Sequence, residues 1–336
     1  MTQSWQNWLE KQWYQQAKPP FTLRLLTVIF KTAVYWRRFC YQIGIVKQVK
    51  LSVPVIIVGN LTVGGTGKSP LVIYLAELLS NAGYKPGIIS RGYGGKSLQR
   101  PQRVFADSNP AQVGDEAVMI ATHSNCPVAV DSVRSKAAQL LLTTTDCDVI
   151  ISDDGLQHYA LQRDIEIAVI DGERRFGNGF CLPAGPLREP VERLHSFNFV
   201  VVNGAPLQQT EFAMRVKANI ALNLQSGEKK PLADFCDIPV HALAAIGNPQ
   251  RFFNLLTALG INHTRSVFPD HYQFQAADLQ FDDNLPLLMT EKDAVKCRAF
   301  ATQQHWYVPI SVELNSQFTQ QLLTLLQEKR HGSQFT

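Results

Sequence analysis

The chain has 336 residues, 45% of them hydrophobic and 18% charged, which excludes wholesale disorder and leaves room for one large domain or two ordinary ones. Its net charge is +4, but residues 1–50 hold eight Lys or Arg against the single acid Glu10, and the remainder is slightly acidic. That distribution excludes a nucleic-acid surface spread over the fold and places an anionic partner at one end of the chain.

The first residues have no cationic start, apolar run and small-residue cleavage site, so no secretory signal is expected. Trp5, Trp8, Trp13 and Tyr14 precede a Pro19-Pro20 break. Phe21–Tyr41 is apolar, but Arg24, Lys31, Arg37 and Arg38 interrupt it, and a membrane span needs about 20 nearly unbroken apolar residues. On a helical wheel Leu25, Leu26, Ile29, Phe30, Ala33, Trp36 and Cys40 share one side, while Arg24, Lys31 and Arg38 share the other. Indoles and basic groups together suit the headgroup layer of an anionic membrane surface. The alternative is an apolar stripe packed on the protein's own core.

Val53–Val58 is a short apolar run that reads as a buried parallel strand. It leads into Gly59-Asn-Leu-Thr-Val-Gly-Gly-Thr-Gly-Lys-Ser69 and then a helical pattern over Pro70–Ala82 ending at Gly83. Strand, glycine-rich loop, Lys-Ser and helix in that order is the context of a Walker A phosphate loop. Gly64, Gly65 and Gly67 let the loop Thr62, Val63, Gly64, Gly65, Thr66, Gly67, Lys68, Ser69 curl around phosphate. The helix N-terminus adds partial positive charge. Lys68 can reach the β- and γ-phosphates of ATP, and Ser69 can ligate Mg²⁺. Thr62 stands where the strict pattern has glycine.

A strand over Pro86–Ser90 precedes the glycine-rich turn that carries Arg91 and Tyr93. Asp115-Glu116 has the look of a helix N-terminus, where acids are favoured. Asp148–Ser152 is a second buried strand, and Asp153-Asp154-Gly155 at its end is a Walker B arrangement that would bring a carboxylate to the metal. A third strand, Ile165–Ile170, runs into Asp171-Gly172. The alternation to about residue 205 predicts an α/β fold, a doubly wound and mainly parallel sheet of the P-loop NTPase type. Strands at Val240–Ala245 and Leu285–Met289, with a helix over Pro249–Leu259, predict a second, smaller α/β unit. The cysteines at 40, 126, 147, 181, 236 and 297 have no metal-ligand spacing and read as free thiols.

Eight features in order resemble the tetraacyldisaccharide 4′-kinase family, the lipid A 4′-kinases of Gram-negative bacteria. They are the basic N-terminal helix, Val58–Pro70, Ser90-Arg-Gly-Tyr-Gly-Gly95, Val113-Gly-Asp-Glu116 and Asp153-Asp-Gly-Leu-Gln-His158, then Leu182-Pro-Ala-Gly-Pro-Leu-Arg-Glu189, Phe268-Pro-Asp-His-Tyr272 and Thr290-Glu-Lys-Asp293. Leu156 stands where the family more often has Phe, a packing change.

The resemblance implies transfer of the γ-phosphate of ATP to the 4′-hydroxyl of a tetraacylated glucosamine disaccharide 1-phosphate, with Mg²⁺, at the cytoplasmic face of the inner membrane. It implies Asp115 as base with His271 as its partner, and Lys68 at the transferring phosphate. Ser69 with Asp153 or Asp154, and secondarily Glu116, are the expected metal residues. Arg91, Tyr93, His158 and Arg188 are the expected substrate contacts. The expected domains are residues 1–50 as a membrane-surface segment, 51–205 as the kinase core and 206–330 as a smaller unit closing over the site. Two alternatives stand beside this: a P-loop GTPase or metallochaperone-type switch, and a membrane-surface partitioning ATPase. Against the first, Thr290-Glu-Lys-Asp293 sets its Lys one place too late for guanine recognition, and no Asp-x-x-Gly follows Asp153 or Asp154.

Overall fold

Runs of Val and Ile buried on both faces set the centre of the molecule. The computed structural model describes residues 3–14, 18–97 and 101–332; side chains are considered for 8–14, 18–97 and 101–330, so the Trp5 side chain lies outside the described residues. Helices α1 (Gln3–Tyr14) and α2 (Phe21–Gln42) lead into β1 (Val55–Gly59), α3 (Lys68–Asn81), β2 (Pro86–Ser90) and β3 (Gln102–Val104). There follow α4 (Pro110–Val113), α5 (Asp115–His123), β4 (Val128–Val130), α6 (Arg134–Thr144), β5 (Val149–Asp153), β6 (Ile165–Asp171) and β7 (Phe199–Asn203). The second half holds β8 (Glu211–Lys217), β9 (Ile220–Asn223), β10 (Lys229–Pro231), β11 (Val240–Ala244), α7 (Pro249–Ala258) and β12 (His263–Val267). It ends with β13 (Leu287–Thr290), α8 (Glu291–Cys297), β14 (His305–Val308), β15 (Ser311–Leu314) and α9 (Ser316–Gly332).

The larger sheet has nine strands in the order β15-β8-β7-β6-β1-β5-β2-β4-β3, parallel except at its two edges. β1, β2, β5 and β6 are buried at every position because helices cover both faces. On α3 the buried Leu71, Val72, Leu75, Ala76 and Leu79 repeat at helical spacing, and each wholly buried Leu stabilises the fold by about 1.5–3 kcal/mol. The strand order reverses around β1, between β5 and β6, so the phosphate loop, Asp153 and Asp171 gather at one sheet edge.

The smaller sheet has six strands, β10-β9-β14-β13-β11-β12, mixed in direction. The expected boundary at 205/206 falls just before β8, but β8 pairs with β7 and with β15, so these two strands complete the larger sheet. The chain therefore leaves the larger sheet through β8 and returns to it through β15. α9 then packs Phe318, Leu322 and Leu326 into the same core as β1 and α3.

The N-terminal helices are more exposed. Thr27 is the buried residue of α2: its hydroxyl donates to the Cys181 carbonyl at 3.0 Å and accepts from the Ala184 N–H at 3.1 Å. Phe30 packs against Leu61, Cys181 and Leu187. Of the expected stripe, Leu25, Leu26, Ile29, Ala33 and Trp36 are exposed while Phe30 and Cys40 are half-buried, so most of it is not used against the protein's own core. Trp13 departs from the expected headgroup role: it is buried, and its indole N–H donates to the Pro183 carbonyl at 3.0 Å. Among the described residues no helix is long and apolar enough to cross a membrane. All six cysteines are free thiols.

Candidate active site

The phosphate loop joins β1 to α3. Gly67 caps α3 in the left-handed region (φ 95°), and a Cβ there would lie 2.5 Å from the Asn203 amide, so a side chain is excluded on two counts. Asn60 braces the loop, its amide donating to the Thr62 carbonyl at 2.8 Å and its oxygen accepting from Lys68 Nζ at 3.2 Å. The Val63 N–H donates to the Pro186 carbonyl at 2.8 Å, and Thr62 bridges to Leu187. Those two positions are therefore tied to the 182–189 loop, and Val63 has no N–H left for phosphate. Thr66 Oγ1 is buried without a hydrogen-bond partner among the described residues.

The two Walker B carboxylates differ sharply. Asp154, with a left-handed backbone (φ 48°), accepts two hydrogen bonds from Arg188 at 3.1 Å and lies 3.7 Å from Lys68. Burial would raise its carboxyl, but the charges of Lys68 and Arg188 hold it at about 2. Asp153, beside Val58 in the β1/β5 register, is 1% exposed, and neither of its oxygens finds a hydrogen-bond donor among the described residues. Burial and the nearby Glu116 charge push it up, to about 7, against the pull of Lys68. A buried carboxylate without a donor costs several kcal/mol if ionised, and a cation would relieve it. Ser69, in the first turn of α3 and 8% exposed, supplies a hydroxyl at the same edge. The donor set of Ser69 and Asp153 thus fits a magnesium ion, although no group of three or more His, Cys, Asp or Glu gathers as a metal cage among the described residues.

The second half of the site is built across the two sheets. Asp115 opens α5 behind Gly114, whose φ of 95° suits glycine and whose absent Cβ lets the Tyr93 carbonyl approach. The carboxylate is 5% exposed and accepts from His271 Nδ1 at 3.1 Å. Burial opposes its ionisation, but the His271 hydrogen bond and the Lys292 charge outweigh burial and hold Asp115 at about 2. His271 is half-buried, which works against its charge, yet it is shifted upward by the Asp115 hydrogen bond. It also has a left-handed backbone, at φ 61°, a costly conformation for a non-glycine residue. Tyr93, itself exposed, lays its ring 4.9 Å from the imidazole. Asp115 and His271 are 156 residues apart in the chain.

Lys292, within Thr290-Glu-Lys-Asp293, lies at the centre of this seam. Its Nζ donates to Glu116 at 3.0 Å and to Asp270 at 3.1 Å, and lies 3.5 Å from His271 Nε2. Thr290 and Asp293 of the same motif cap α8 instead of forming a base-binding loop: the Thr290 hydroxyl accepts from the Asp293 N–H at 3.3 Å. Arg91 is exposed on its turn after β2. His158 is held neutral, down to about 4, by burial and the charges of Arg134 and Arg163, and its Nε2 is buried without a partner. Arg188, expected to meet an anion, is engaged by Asp154 and Gln157. Arg134, missed by the sequence reading, is 3% exposed and donates to the Asp153 and Asp154 carbonyls, fixing the strand end.

The model of one protein family, LpxK, tetraacyldisaccharide-1-P 4′-kinase, matches residues 20–327. The chain belongs to this family. A tetraacyldisaccharide 4′-kinase of Nitrosococcus oceani is 51% identical over 316 residues, covering 94% of this chain and 93% of that protein. One from Methylobacillus flagellatus is 47% identical, covering 97% of this chain and 98% of its own length. A crystal structure of LpxK from Aquifex aeolicus, described as an "apo" form in complex with ATP, has a TM-score of 0.75 at 28% identity, covering 91% of this chain and 98% of that one. Membership of this kinase family leaves the GTPase and partitioning-ATPase alternatives without support.

Proposed function

We propose that this chain transfers the γ-phosphate of ATP to the 4′-hydroxyl of a tetraacylated glucosamine disaccharide 1-phosphate, working at the cytoplasmic face of the inner membrane. The observation that carries the mechanism is the Asp115–His271 hydrogen bond at 3.1 Å, formed between the start of α5 and the segment that follows β12. Lys68, the loop from Gly64 to Ser69 and the N-terminus of α3 hold the triphosphate. Ser69 and Asp153 would hold magnesium, which when bound neutralises charge on the phosphates. Asp154 keeps Lys68 and Arg188 in place. Glu116, engaged by Lys292, braces the seam within electrostatic reach of Asp153.

The acceptor hydroxyl gives its proton to the Asp115–His271 pair. Asp115 is ionised and oriented by the ring, and His271, shifted upward by that carboxylate, is the member that can retain the proton. Arg91 and Tyr93 border the pair from the β2 side and would meet the sugar or its phosphate, with His158 behind them. The smaller sheet is the unit that closes over the site and excludes water as a competing acceptor.

The test is a radiolabelled γ-phosphate assay with the disaccharide 1-phosphate as acceptor. Lys68→Ala should abolish transfer, since removing a charge contact at a transferring phosphoryl costs several kcal/mol. More than a tenth of wild-type activity in that variant, an effect below ~1.4 kcal/mol, would remove Lys68 from the mechanism. Asp115→Ala and His271→Ala should each lower turnover by about 10²–10⁴, and the double variant by little more than either, because the two act as one unit. Simple additivity with near-normal turnover would leave Asp115 as a helix-terminal acid.

A further inference from the structure

Asp171 ends β6 next to the phosphate-loop strand, and no catalytic role above uses it. It is 2% exposed, and its carboxylate is a hub. From its own loop it accepts the Glu173 and Arg174 N–H groups at 3.0 and 3.1 Å. From the smaller unit it accepts Arg251 Nη2 at 2.8 Å and Asn248 Nδ2 at 3.3 Å. Arg174 completes the crossing by donating to the Gly247 carbonyl at 3.1 Å. Four residues ahead of Arg251, Gly247 lies directly on the phosphate loop. A Cβ on it would stand 2.6 Å from the Gly65 nitrogen and 3.3 Å from Gly64. Gly247 itself does not occupy the left-handed region, so its own backbone would accept alanine.

We propose that Gly247, Asn248 and Arg251 are positioning residues for the nucleotide, forming with Asp171 and Arg174 a latch that seats the smaller unit on the back of the phosphate loop. The seam at Asp115, His271 and Lys292 serves the acceptor side, and this one serves the nucleotide side, so the two can be disturbed separately. Closing the latch presses the Gly247 segment against Gly64 and Gly65 and holds the loop in the shape that receives phosphates. Opening it frees the loop for exchange. Gly64 and Gly65 then serve two purposes: they belong to the loop that receives phosphate, and they receive the Gly247 segment of the smaller unit. Arg174 also stacks on Tyr14 with 5.0 Å to the ring centroid, so α1 contacts the latch from the membrane-facing segment. The proposal rests on the nucleotide reading above, and its test reads nucleotide binding directly.

The experiment measures ATP affinity, KM for ATP, turnover at saturating ATP and the melting temperature without nucleotide, for wild type, Gly247→Ala, Arg251→Ala and Arg251→Lys. Gly247→Ala adds a methyl group whose nearest neighbours are the phosphate loop, so it should weaken ATP binding by ~10-fold if the closed population falls to about a tenth. Its melting temperature without nucleotide and its turnover at saturating ATP should change much less. Arg251→Ala should weaken ATP binding in the same direction, with Arg251→Lys recovering part of it. Wild-type ATP affinity in both Gly247→Ala and Arg251→Ala overturns the latch. So does a lowered melting temperature with unchanged ATP affinity, which would make the contact packing alone. Failure of the wild type to bind ATP overturns the nucleotide reading and the latch with it.

Discussion

At the scale of single residues, the asymmetry between Asp153 and Asp154 is the most informative feature of the site. Both are acids at one strand end, and the residue pattern leaves open which of them meets a metal. The structure separates them by partners: Asp154 has Arg188 and Lys68, and Asp153 has no donor among the described residues. Removing one member of a partnered set strands the others, whereas removing a lone buried charge relieves the fold. Asp153→Asn is therefore expected to match or exceed the wild-type melting temperature in EDTA while losing transfer activity. Adding magnesium should raise the wild-type melting temperature and leave that of Asp153→Asn in place, by the linkage of binding to stability. Asp154→Asn should lower the melting temperature by an amount corresponding to about 1 kcal/mol, because Lys68 and Arg188 lose the charge that partners them while the half-exposed site lets water screen part of the loss. A destabilised Asp153→Asn in EDTA would mean that Asp153 has a structural partner after all. Lys292 shows the limit of reading residues singly: its motif was visible, but Glu116 lies 176 positions away, and no local pattern announces such a pairing.

At the scale of elements, α5 and α8 meet along the seam that holds Asp115 and His271. Lys292 of α8 clamps Glu116 at one end of α5, and His123 at the other end pairs with Glu291. The Glu291 hydrogen bond raises His123 above its ordinary value, with burial opposing. A histidine with a raised folded pKa contributes stability that is fully present below its unfolded value, about 6.5, and is lost as pH rises through the folded value. His123 is about one-third exposed, so solvent screening keeps that contribution modest. The melting-temperature difference between wild type and His123→Gln should therefore be larger near pH 6 than near pH 9, and a difference independent of pH would remove the ion pair. The elements that frame the site were more legible than the seam itself. The strands at 53–58, 148–152 and 165–170 and the helices at 70–82 and 249–259 fall within two residues of those observed, because runs of Val, Ile and Leu at period two or 3.6 are local signals. Which sheet a strand joins is not local. β8 alternates like any half-buried strand, and nothing in its seven residues says that it extends the larger sheet while β9 begins the smaller.

At the scale of the whole molecule, α2 carries apolar side chains that the rest of the described fold does not cover. α2 anchors through Thr27 and Phe30, leaving Phe21, Leu25, Leu26, Val28, Ile29, Tyr35 and Trp36 between 50% and 77% exposed. A contiguous apolar surface of that kind on a folded protein marks an interaction site, and exposed Arg24, Lys31 and Arg37 flank it. Deleting the whole segment would be a poor test. It would also remove the Trp13–Pro183 and Thr27–Cys181 hydrogen bonds and uncover Leu61, Cys181 and Leu187. Substituting Leu25, Ile29 and Trp36 together by Gln changes exposed side chains alone, and such surface changes away from core features shift stability by about 0.5 kcal/mol or less each. The variant should keep its melting temperature and its turnover on a short-chain soluble acceptor. It should lose sedimentation with anionic vesicles and turnover on acceptor embedded in them. Each apolar side chain that enters the interface contributes up to about 1.5–3 kcal/mol, and each basic residue near anionic lipid about 1 kcal/mol. Because the charge component is screened, salt should weaken vesicle binding of the wild type without abolishing it. Equal sedimentation of wild type and variant would mean that the exposed stripe meets something other than lipid, and would detach the membrane from this enzyme's mode of access to its substrate.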